Sequence, residues 1–152
     1  MVNVMDISAE KPRGEWYDSF PGKGIVYDLT STALSDQGTA GRLRAVVALG
    51  KSGDPRAVRP LMDLVADPDP AIRRGAIVAL GELKSGRTVE VLIERLRDQN
   101  EQADIRRLAA ETLAAIRSTG ALLGLREFST DTNEDPALRS YVTGILDHTG
   151  TW

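Results

Sequence analysis

Asp67-Pro-Asp-Pro-Ala-Ile-Arg-Arg-Gly-Ala-Ile-Val-Ala-Leu-Gly81 is the stretch on which the fold turns. Two later stretches repeat it: Gln102-Ala-Asp-Ile-Arg-Arg-Leu-Ala-Ala-Glu-Thr-Leu-Ala114 and Asp135-Pro-Ala-Leu-Arg-Ser-Tyr-Val-Thr-Gly-Ile-Leu-Asp147. Arg73, Arg106 and Arg139 anchor these copies at equal intervals. An earlier copy, Arg42-Leu-Arg-Ala-Val-Val-Ala-Leu-Gly50, precedes Arg73 by a slightly shorter interval. Three residues after each anchor stands Ala45, Ala76, Ala109 or Val142, and seven after it Leu49, Leu80, Leu113 or Leu146. A small or short residue at one register and leucine at the other predicts close helix approach at the first and core filling at the second.

A second helical pattern lies between anchors. Val58, Leu61, Met62 and Val65 form a stripe at spacings of three and four, as do Val89, Leu92, Ile93 and Leu96, with a shorter third copy in Leu122, Leu125 and Phe128. Each unit reads as helix A, a tight turn, helix B and an Asp/Pro turn. One such helix pair cannot bury both of its apolar faces, so the pairs must stack. The predicted architecture is an all-α superhelix, an α-solenoid of about four helical hairpins and eight or so helices. Pro55, Pro68, Pro70 and Pro136 stand at or before helix starts, where a missing N–H costs little, and Pro60 alone falls inside a stripe.

Asp-Pro-Ala-Ile-Arg-Arg-Gly-Ala followed by Ala-Leu-Gly-Glu-Leu, between Asp69 and Leu83, resembles the HEAT repeat in its short form, as in the repeats of phycocyanobilin lyases. The resemblance covers roughly residues 38–148 and extends to small stand-alone HEAT-like proteins of bacteria and archaea. It implies a binding scaffold. HEAT-type deoxyhypusine hydroxylases hold di-iron with repeated His-Glu pairs, whereas this chain contains no His-Glu dipeptide, so that likeness is expected to stop at the fold. The third and fourth units depart from the pattern: Ala114 and Asp147 replace the glycine after the leucine, and the turn after Ile116 lacks Asp-Pro.

Composition narrows the function. The 152 residues contain no cysteine, which excludes disulfides, Cys-ligated metals and a thiol nucleophile. One histidine cannot build a multi-histidine metal site within a single chain. Nineteen basic against 22 acidic residues, with aromatics at 5%, disfavour a nucleic-acid surface. No segment reads as a membrane span or a secretory leader, and a cytoplasmic monomer, or at most a weak dimer, is expected. Asp67, Asp69, Asp98, Asp104 and Asp135 stand where N-caps belong and lack the spacing of a calcium loop. The arginines at the anchors read as a structural ladder. His148, in the last helical turn, suits the helix dipole.

The chain is therefore expected to bind another protein, without catalysis, cofactor or metal. Residues 42–107 carry 13 basic and 10 acidic residues, more basic than the flanks. The mixed charges of the B helices, Arg56, Arg59, Asp63, Arg87, Glu90, Glu94 and Arg97, form one candidate partner surface. Trp16, Tyr17 and Phe20 form another. They belong to an N-terminal extension, residues 1–24, that is also expected to cap the first helices; residues 25–148 form the repeat domain and 149–152 a tail. Two further classes are weighed: a ligand-handling subunit like the bilin lyases, and nucleic-acid binding of the HEAT-like DNA glycosylase type.

Overall fold

The computed structural model describes residues 23–35 and 38–149. Trp16, Tyr17, Phe20 and the proposed cap lie outside the described residues, as does Trp152. Within them the chain forms eight α-helices and no strand. They are α1 (Lys23–Ala33), α2 (Thr39–Lys51), α3 (Val58–Leu64), α4 (Pro70–Leu83), α5 (Val89–Arg97), α6 (Ala103–Ile116), α7 (Thr119–Thr130) and α8 (Pro136–His148).

The even-numbered helices, the A helices of the sequence, pack side by side in a row: α2 on α4, α4 on α6, α6 on α8. The odd-numbered B helices form the second layer, and each packs on the A helix that follows it. The core lies between the layers. Leu49, Leu80 and Leu113 are fully buried, as are Ala76, Ala109 and Val142 at the small register, while Leu146 in the last unit is only partly covered. From the B layer Leu61, Leu92, Leu96, Leu125 and Phe128 fill the same core.

Local chemistry sets the boundaries. Asp69 and Asp135 cap α4 and α8 by accepting from the backbone N–H of Ala71 and Leu138, with a proline in the first turn of each helix. Asp54 and Ser85 cap the short 3₁₀ turns Pro55–Ala57 and Gly86–Thr88 that lead into α3 and α5. The first of these turns resolves the position of Pro60. With α3 beginning at Val58, the proline sits in a first turn whose N–H groups have no intrahelical acceptor. The A helices α4 and α6 end at Lys84 and Arg117 in the left-handed region, φ 48° and 57°, without the usual glycine. No helix among the described residues is long and apolar enough to cross a membrane.

Candidate functional site

Charge is organised first by the anchor arginines. Arg42 donates from Nε to the Ala33 carbonyl at 2.9 Å and holds the Asp67 carboxylate with its terminal nitrogens. Arg73 donates to the carbonyl of Asp67 at 2.9 Å and grips both oxygens of Glu101 at 2.7 and 2.8 Å. Arg106 donates to the Leu96 carbonyl at 2.7 Å and to Glu134 at 2.8 Å. Each guanidinium thus ties the end of the preceding B segment to a carboxylate that opens the next A helix. Arg139 donates to the Ser129 carbonyl at 3.2 Å, and among the described residues no carboxylate meets it.

The ladder is desolvated toward its middle. The side chains of Arg106 and Glu134 are 9% and 5% exposed, and Glu101 is shared between Arg73 and Arg95. Burial pushes the Glu101 carboxyl up, but the hydrogen bonds from Arg73, the Gln102 amide and Arg95 outweigh it and hold the group below its ordinary value. Asp67 is lowered in the same way, with burial opposed by Arg42. These side chains serve the stacking of units.

The expected B-helix surface divides. Arg56 is drawn back onto Asp54, the cap of its own turn, and Arg59 pairs with Asp63 one helical turn on at 3.6 Å. Arg97 belongs to the ladder: it reaches Asp131 at 3.0 Å, lies 3.6 Å from Glu134, and sits 5.8 Å from the centre of the buried Phe128 ring. Arg87, Glu90 and Glu94 are exposed and make no ion pair among the described residues. Their charges face solvent along α5 and its entry turn.

A different surface lies on the A row. Leu43 and Val47 of α2 and Ala71, Gly75, Val78 and Ala79 of α4 line an apolar groove of about 240 Å³, with Arg74 and Glu82 at its rim. Val47 and Val78 are 41% and 45% exposed. They occupy equivalent registers in successive units, and the third unit carries Glu111 there. Sequence reasoning assigned no role to Val47 and Val78. Their shared register, shifted by one residue from the buried Ile77, was the available signal. Glu101 and Glu134 were also missed. Their signal was an acidic residue two positions before the start of a helix A.

His148 is exposed, with Nδ1 2.8 Å from the Gly144 carbonyl. No group of three His, Cys, Asp or Glu side chains among the described residues is placed to hold a metal ion.

Two packed rows of helices, cross-linked by an arginine ladder of one-repeat period, define an α-solenoid of stacked helical hairpins. The profile of the family described as HEAT repeats matches residues 28–103, and the chain belongs to that family. Among solved structures, human deoxyhypusine hydroxylase in complex with glycerol is similar at 22% identity with a TM-score of 0.66, over 85% of this chain. The chain spans about half the length of that structure, 47% of it. No curated protein sequence matches.

The expectation that the chain is not an enzyme is corrected by that likeness. An enzyme is built on this fold, so the fold and its repeats supply no ground for excluding catalysis; activity resides in side chains grafted on a scaffold, not in the scaffold. What the likeness establishes for this chain is the helical-repeat architecture.

Proposed function

We propose that the chain is a protein-binding scaffold and that the groove between α2 and α4 receives apolar side chains of its partner. The observation that carries this reading is the exposure of Val47 and Val78 at one register of two successive units, above a floor of Ala71, Gly75 and Ala79. A water-facing register of a repeat has no need of valine, and a contiguous apolar groove with a polar rim suits a protein contact. Leu43 of α2 fills the space over Gly75, where a Cβ would lie 2.7 Å from its Cδ1, so at that point the partner would meet the leucine side chain. Arg74, already paired with Asp104, and Glu82 offer polar contacts at the edge.

Affinity capture from the native source tests this. Val47→Asp with Val78→Asp is expected to reduce recovery of the captured partner at least about tenfold, because two charges enter an apolar contact, while thermal unfolding stays close to wild type. Equal recovery of the same partner by the double variant would exclude the groove. The exposed α5 charges support a second surface, tested in parallel by Arg87→Glu with Glu90→Lys and Glu94→Lys. Loss of the partner with this variant alone would move the contact to the B layer.

A further inference from the structure

We propose that Arg139 and the hydroxyl-lined groove beside it form a binding site for a carboxylate on an acidic segment of a partner protein. The inference rests on internal symmetry and is independent of the α2/α4 groove.

Positions 73, 74, 77 and 81 of α4 face α6. Arg73 takes Glu101, Arg74 takes Asp104, Ile77 is fully buried, and a Cβ on Gly81 would lie 3.3 Å from Thr112. One repeat on, the same positions of α6 face α8, where Arg106 takes Glu134 and Ala110 is fully buried. In α8, the next repeat, they are Arg139, Ser140, Thr143 and Asp147, and they line an open groove of about 390 Å³ with Ser129, Pro136 and Gly144. The guanidinium is held at Nε by the Ser129 carbonyl, as its equivalents are held by carbonyls at the ends of earlier B segments. Its two terminal nitrogens, which in Arg42 and Arg106 contribute the carboxylate contact, have no partner among the described residues. The arginine is therefore anchored in place with its carboxylate-binding side open.

The groove lining identifies the occupant. Thr143 stands where Ile77 and Ala110 are buried, and Asp147 where Gly81 and Ala114 allow a helix to approach, so this face does not suit the apolar side of another helix A, including that of a second copy. The hydroxyls of Thr143 and Ser129 donate to the carbonyls of Arg139 and Arg126, so Ser140 and the Arg139 guanidinium are the donors that face a polar, acidic segment across a hydrated groove. Asp147 lies two helical turns beyond Arg139, about 12 Å along the helix, so the ligand's carboxylate is directed to the Arg139 end. In the three filled rungs the carboxylate stands two or three residues before a helix start, at Asp67, Glu101 and Glu134. The partner feature is thus an acidic residue entering a helix. The chain's net charge of −3 gives an acidic peptide no general attraction, so binding would report the site.

The probe is a synthetic peptide with the sequence of residues 131–138, Asp-Thr-Asn-Glu-Asp-Pro-Ala-Leu, whose Glu134 fills the rung on Arg106. Titrated into the ¹⁵N-labelled full chain at low salt, it is expected to produce saturable shifts at the Arg139 Nε–H and at the amides of Ser129 and the first half of α8. Arg139→Gln in the protein, or Glu134→Gln in the peptide, should each weaken binding at least about fivefold, since each removes a charge-assisted pair; an unchanged amide spectrum elsewhere shows that the protein variant is folded. Absence of saturable shifts, shifts centred on another surface, or binding as tight as the unmodified pair by either variant would each overturn the proposal.

Discussion

Arg106 and Arg139 occupy the same register of the repeat and have different surroundings. Arg106 is 7% exposed, bonded to the Leu96 carbonyl and paired with the buried Glu134, whereas Arg139 is half-buried with a single carbonyl contact. Removing one partner of a desolvated pair leaves the other charge buried without compensation. Arg106→Ala is accordingly expected to cost about 3–5 kcal/mol, and Arg139→Ala no more than about 1 kcal/mol. Urea denaturation of the two variants checks the contrast. Similar losses would mean that burial does not set the strength of the ladder.

At the scale of the element, close approach within the A row depends on glycine at particular contacts. A Cβ on Gly50 would lie 2.7 Å from both Cα and Cβ of Ala79, so α2 and α4, the most extensively packed pair, would have to move apart. At Gly144, within α8, a Cβ meets nothing within 4 Å. Gly50→Ala is expected to destabilise by about 1–3 kcal/mol through overpacking. Gly144→Ala should stabilise by about 0.5–1 kcal/mol, because alanine loses less backbone freedom in a helix. Melting temperatures that moved in the same direction for both would refute this account of the α2–α4 contact. The arginine ladder and the glycine contacts act on the same joints, one at the entry of each helix A and the other along its length.

For the whole molecule, the ladder couples stability to pH. The Asp67 and Glu101 carboxyls lie below their ordinary values of 3.8 and 4.5; burial raises both, and the arginine hydrogen bonds outweigh it. A carboxyl lowered on folding stabilises fully above its unfolded value, and that contribution is lost as pH falls through the folded value. The urea midpoint is expected to stay level on this account between neutral pH and about 5, then fall as the carboxylates protonate. Glu101→Gln should start from a lower midpoint and lose less of it over the acid range. Parallel acid limbs for wild type and variant would show that the ladder carboxylate is not what acid titrates. Because the Asp67 and Glu101 rungs join consecutive units, their protonation loosens the solenoid at those joints.

The helices, their order and the core leucines Leu49, Leu80 and Leu113 were legible in the sequence, because each depends on short-range spacing that recurs from one anchor arginine to the next. The pairing was not, since the sequence grouped each helix A with the B helix after it and the structure packs each B helix on the A helix that follows. The ladder reading of Arg73 and Arg106 also came from that period. The carboxylates that complete their rungs lie 28 residues from each arginine, a separation that means nothing until the units are stacked. Exposure was likewise a tertiary property. Val47 and Val78 are apolar in sequence and face solvent in the fold, and Arg97 is charged in sequence and tied into the ladder. Arg139 has the same sequence register as its equivalents and differs because no carboxylate meets it among the described residues. The sequence by itself therefore determined which residues form helices and which face of each is apolar, since local periodicity sets both, while the stacking of units set which helices pair. Only the tertiary structure decided which faces remain open, since burial depends on what the neighbouring unit places opposite.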